Sequence, residues 1–153
     1  AKVSPATLTD LAATADAIVI AKVEKVSTDA LGVRRAEARV LAVWKGKPNP
    51  VVTFRVSKFW ECDSSNAVEG ETVALFLVKE PMTKVMSIAY GGQGRIPIEE
   101  EGGKALVYFG NPEDCNWAAT EAGQPPSIGT IGVTELEKRV RKILREKRAP
   151  CGF

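Results

Sequence analysis

Between Ala15 and Val56 apolar and polar positions alternate in three runs, ADAIVIAKVEKV, RRAEARVLAVW and VVTFRV. A period of two sends successive side chains to opposite faces of a strand, so the runs predict strands over 17–27, 33–44 and 51–57. In the first, Val19, Ala21 and Val23 share a face and Lys22 and Glu24 take the other. In the second, Ala36, Ala38, Val40, Ala42 and Trp44 line one face, with Arg35, Glu37 and Arg39 opposite. Small residues there permit close approach at a curved sheet or barrel wall. In the third, Val52, Phe54 and Val56 alternate with Thr53 and Arg55. Lys45-Gly46-Lys47-Pro48-Asn49-Pro50 is turn chemistry, which makes the three strands an antiparallel meander. A meander of three strands cannot close a core alone, so more strands must follow.

Residues 58–70 read as a longer connection holding Phe59, Trp60 and Cys62. Thr72–Lys79 is apolar at nearly every position, which predicts a central strand covered on both sides. A fifth strand over 84–90 would place Met86, Ile88 and Tyr90 together. Gly91-Gly92-Gln93-Gly94 ends it as a turn or bulge, because it lacks the Lys and Ser/Thr of a phosphate loop. A short segment, 95–98, a link at 99–103 and a last strand, Ala105–Phe109, complete the sheet. Residues 110–132 read as a loop rich in Gly, Pro and Asn. Two helices flank the strands. Thr7-Leu8-Thr9-Asp10 has the form of an N-terminal cap for a helix over 8–15, and Thr134-Glu135-Leu136-Glu137 opens one over 134–148 with Leu136, Val140, Ile143 and Leu144 as its apolar stripe.

With 153 residues the chain reads as one domain, 1–153, long enough for a core without a structural metal. Its 44% hydrophobic and 26% charged residues fit an ordinary globular composition, and no apolar run reaches the ~18 residues of a membrane span. The absence of histidine removes the commonest general base and a common zinc ligand. No G-x-S-x-G elbow is present, and the cysteines have no His partner. The expectation is therefore a protein that is not an enzyme, with no cofactor and no metal site. Glu99-Glu100-Glu101 lacks calcium-loop spacing and reads as a solvated run. Cys62, Cys115 and Cys151 are too far apart for metal knuckles, which leaves one disulfide with a spare thiol, or three thiols. The start at Ala1 fits a cleaved secretory signal or a trimmed chain, and the odd cysteine count weighs against export.

Charge is concentrated at the end of the chain. Residues 134–148 hold seven cations against three carboxylates, a net +4, which leaves −2 for the rest of a chain of net +2. Lys138, Arg141, Lys142 and Arg145 could meet an acidic polymer or an anionic lipid surface. Acids in the first turn and bases in the last also complement the helix dipole.

Four segments carry a resemblance: Ala15-Asp16-Ala17-Ile18-Val19, Arg39–Gly46 (RVLAVWKG), a Cys after the third strand, and Val68-Glu69-Gly70-Glu71 leading to Ala74-Leu75-Phe76-Leu77. Over about residues 8–120 the chain resembles bacterial exported proteins similar to tissue inhibitors of metalloproteinases and netrin-type modules. The resemblance implies an all-β, OB-type antiparallel barrel of five to six strands, export to the periplasm, cell envelope or medium, and a disulfide between Cys62 and Cys115. In the chain-entropy model such a link contributes roughly 4 kcal/mol. The animal inhibitors begin with a Cys that binds the protease zinc. Here Ala1 and Lys2 stand at the start, so that mechanism does not carry over.

These readings predict a binding module that meets a protein partner through barrel-end loops, with Phe59, Trp60 and Trp117 as contacts. The alternative is an anionic polymer or membrane surface bound by the basic helix. Taken by themselves, Phe59 and Trp60 read first as a lid packed over the barrel end, and next as an exposed contact for a protein partner. Titrating thiols in denaturant should find one reactive group. Three would remove the disulfide.

Overall fold

The computed structural model describes residues 8–60, 63–65, 67–80, 85–89, 94–101, 104–109 and 129–148. Helix α1 (Leu8–Thr14) leads into strands β1 (Ala17–Thr28), β2 (Arg34–Lys45) and β3 (Val51–Trp60). After them come β4 (Asp63–Ser65), β5 (Thr72–Lys79), β6 (Met86–Ile88), β7 (Arg95–Glu101), β8 (Lys104–Phe109) and β9 (Gly129–Gly132). Helix α2 (Val133–Arg148) follows.

Five strands close a barrel in the order β1–β2–β3–β6–β5 and back to β1. This is the expected OB-type barrel, with one difference. The pairing of β3 with β6, Phe54 opposite Met86 and Arg55 opposite Ser87, is parallel, so the barrel is mixed rather than wholly antiparallel. Strand β5 is the hub. One edge pairs β1 from Thr72 to Leu77; the other is shared, β7 taking Thr72–Leu75 and β6 taking Leu77–Lys79. At Phe76, between the two, the amide donates to the Gly94 carbonyl and the carbonyl accepts from the Ala89 amide. From this division β7, β8 and β9 continue as an antiparallel wing.

The core has two layers. Inside the barrel lie Val19, Ala21 and Val23 of β1, Ala36 and Ala38 of β2, Val52, Phe54 and Val56 of β3, and Val73, Leu75 and Leu77 of β5. The outer faces of β1 and β5 present Ile18, Ile20, Ala74 and Phe76, which the helices cover through Leu8, Leu11, Ala12, Leu136 and Val140. The expected double burial of residues 72–79 is therefore observed, and β1 shares it over its first half. Each large apolar side chain so covered contributes roughly 1.5–3 kcal/mol. At the end of α1, Asp16 joins the layers. Its amide donates to the Leu77 carbonyl and its Oδ2 accepts from the Lys79 amide at 2.7 Å. Lys45 Nζ donates to the Ala12 carbonyl at the last turn of the same helix, where a cation is favoured.

Several expectations need correction. Trp44 does not share the inner face with Ala36 and Ala38, and Ala42 is exposed. The ladder between β1 and β2 slips at Ile18/Val19 and at Ile20/Ala21, which leaves Trp44 and Leu41 as extra residues of β2. Each bulge reverses the alternation beyond it, so Trp44 enters the helix-covered layer. The 58–70 connection is partly strand, because β3 runs on to Trp60 and turns back in β4. Glu99, Glu100 and Glu101 extend β7 rather than forming a link. Residues 129–132, expected as loop, pair with β8. Tyr90, Gly91, Gly92, Gln93 and residues 110–128 lie outside the described residues.

Gly94 is the tightest point of the strand division. A Cβ there would stand 2.8 Å from the Phe76 carbonyl oxygen and 3.1 Å from the Phe76 Cβ, whereas one at Gly132 would meet nothing closer than 4.0 Å. Gly94→Ala should therefore destabilise by about 1–3 kcal/mol and Gly132→Ala by less than about 0.5. Urea melts of the two variants check this; equal midpoints would contradict the crowding at Phe76.

Candidate binding surfaces

The turn joining β1 to β2 is built around one carboxylate. Asp29 Oδ1 accepts from the amides of Leu31 (2.9 Å) and Val33 (3.0 Å), and Oδ2 accepts from Arg35 Nη1 (3.0 Å). The Asp29 amide donates to the Val33 carbonyl, and the Gly32 amide donates back to Asp29. Asp favours such turns because its short side chain reaches amides two residues on, and Gly32 supplies the left-handed conformation, φ +82°. The turn holds Leu31 at its tip with 90% of its surface exposed. The Val33 amide is the main reason that the Asp29 carboxyl sits below its ordinary range. Partial desolvation opposes it, and the Leu31 amide and Arg35 reinforce it.

The approach to β5 lies at the same end. The Gly70 amide donates to the Val23 carbonyl at 2.7 Å, and the Val26 amide donates to Glu69 Oε1 at 2.8 Å. Glu71 accepts from the Val68 amide and takes a two-pronged contact from Arg95, whose Nε lies 2.8 Å from Glu71 Oε1. Both charged side chains are largely buried, so this pair locks the segment to β7. Val68 projects from it, 54% exposed.

The third element of this end is the hairpin of β3 and β4. Strand β3 leaves β2 at Val56, opposite Arg34, and continues with Ser57 opposite Ser65, Lys58 opposite Ser64 and Trp60 opposite Asp63. Phe59 falls at the register shift between Lys58 and Trp60. The fold thus brings the backbone of Phe59 and Trp60 to the end that carries Leu31 and Val68. Cys62, Cys115, Cys151 and Trp117 lie outside the described residues. The sequence reading missed Leu31 and Val68. An apolar residue beside glycine in the Asp29–Gly32 turn was the available signal for Leu31, since turn tips are ordinarily polar.

The opposite end carries a cleft of about 760 Å³ bordered by Asp16, Lys47, Asn49, Thr53, Lys79 and Met86, among others. A smaller groove of about 440 Å³ runs between Leu8 and Thr9 of α1 and Lys138, Arg139, Lys142 and Ile143 of α2. On α2, Lys138, Arg141, Lys142 and Arg145 are exposed, while Arg139 and Arg141 pair with Glu135 and Glu137. Among the described residues no group of three His, Cys, Asp or Glu side chains is placed to hold a metal ion. Comparison with protein-family models and with curated proteins returned no match.

Asp29 should titrate below the usual ~3.9. A carboxyl lowered in the fold adds stability at pH above its unfolded value, and that stability is lost as pH falls through the lowered one. Stability of the parent and of Asp29→Asn should differ at neutral pH and converge in acid below ~3.9. A constant difference down to the lowest pH would rule out the charge as its source.

Proposed function

We propose that the protein is a non-enzymatic binding module that engages another protein through the hairpin end of its barrel. The observation that carries this reading is Leu31, a large apolar side chain almost wholly in water on a turn that five hydrogen bonds hold in place. An exposed apolar anchor on a preordered turn loses little entropy on binding. Val68 adds apolar surface from the neighbouring segment, and Phe59 and Trp60 belong to the hairpin beside it. Aromatic residues of this kind dominate the energy of protein interfaces.

The proposal includes export and kinship with netrin-type and metalloproteinase-inhibitor modules, resting on the Arg39–Gly46 and Val68–Leu77 segments. It also includes the Cys62–Cys115 disulfide, which would tether Trp117 to the β3–β4 hairpin as a further contact. Inhibition through a zinc-binding terminal Cys is not part of it.

The test is capture of a partner from the native cell-envelope fraction at low and high salt, followed by titration of that partner against variants. Leu31→Ser and Phe59→Ala/Trp60→Ala should each weaken binding by about 30-fold or more while the melting curve stays that of the parent. Unchanged affinity in both variants would overturn the assignment.

A further inference from the structure

Helix α2 presents a cationic ridge on the side away from the core. Lys138, Arg141, Lys142 and Arg145 follow the spacing i, i+3, i+4, i+7, which aligns them along one face over about 10 Å. All four are exposed, and Leu136 and Val140 on the other side are buried. Arg141 pairs with Glu137 at 2.7 Å; Lys138, Lys142 and Arg145 have no ion-pair partner among the described residues.

Helix stability accounts for this ridge only in part, through the i, i+4 pair of Glu137 with Arg141. The dipole favours cations only in the last turn, and Lys138, Arg141 and Lys142 stand before it. Lys138 with Lys142, and Arg141 with Arg145, are like-charge pairs at i, i+4, each of which weakens a helix. The arrangement therefore makes sense as a surface for negative charge.

We infer that this ridge binds the surface of an anionic lipid bilayer, with α2 lying flat against the headgroups. Charge complementarity is the first argument. Residues 134–148 carry +4 while the remainder carries −2, so a negative plane both attracts the molecule and turns this face toward itself. The second is what α2 lacks. It has no aromatic residue to stack on unpaired bases. The third is geometry. Lipid headgroups diffuse laterally and gather under exposed cations however these are spaced, whereas a duplex holds its phosphates at fixed spacing on a curved backbone. The apolar stripe is already spent on the core, and among the described residues no helix is long and apolar enough to cross a membrane. Binding is thus electrostatic and superficial.

Sedimentation of the full chain with vesicles of equal parts phosphatidylserine and phosphatidylcholine tests this. At low salt the protein should pellet with these vesicles and stay in solution with pure phosphatidylcholine. Each basic residue near such a surface is worth about fivefold in partition, so Lys138→Gln/Lys142→Gln should bind about 30-fold more weakly. Binding should also fade as salt shortens the screening length toward about 8 Å. Both side chains are exposed, so circular dichroism of the variant should match the parent. Equal binding to neutral vesicles, no binding to either, or full binding by the variant would overturn the inference. Tighter binding to duplex DNA than to the anionic vesicles at the same salt would overturn it in favour of a nucleic-acid surface.

Discussion

Strands β1 and β5 pair over six residues, and over that stretch they have almost no solvent face. Everything else in the molecule answers to that constraint. Their inner faces need a closed barrel, because two strands alone cannot surround Val19, Leu75 and Leu77. Their outer faces need a cover over Ile18, Ile20 and Phe76, which the two helices supply. An antiparallel pair with one wet face would need no helices at all. Double burial also explains why β5 can serve three neighbours. Its second edge is divided between the barrel and the wing, and the carbonyl and amide that fall between are satisfied by Ala89 and Gly94.

The same constraint decides what α2 shows to solvent. Leu136 and Val140 are committed to the core, with Ile143 and Leu144 packed against it. A helix fixed in rotation by that stripe must turn its opposite face outward, and in this sequence that face is cationic. The bulges in β2 serve the cover as well. By reversing the alternation they bring Trp44 into the outer layer, while Lys45 reaches the end of α1.

The two surfaces differ in physical kind. At the hairpin end, backbone hydrogen bonds and the Glu71–Arg95 pair hold short segments rigid, and apolar side chains stand out from them. Recognition there would depend on shape and on water release, with weak dependence on salt. On α2 the contacts are charges on long side chains, of which Arg141 is also held by Glu137. Recognition there would be long-ranged and screened. A module with both could lie at an anionic surface through one face while a protein partner engages the other.

Local pattern was enough for the elements whose burial is uniform along their length. The period of two located β1 and β2 to within one residue at each end and β3 from Val51 to Ser57, the unbroken apolar run located β5 to the residue, and the capping box with its stripe located α2 to within one residue. The basic ridge was equally legible, because i, i+3, i+4 spacing is a property of any helix. What the sequence could not carry was decided by partners distant along the chain. A bulge is invisible until the ladder it interrupts exists, so Trp44 and Ala42 were placed on the wrong face. Strand β9, with only Thr130 and Ile131 between glycines, has too little pattern of its own and is a strand because β8 offers it an edge. Parallel pairing of β3 with β6 follows from closing the barrel, a requirement that belongs to no single segment. Leu31 is exposed for the same kind of reason. Its neighbours say only that a turn occurs there, and the tertiary fold decides that no described residue packs over it.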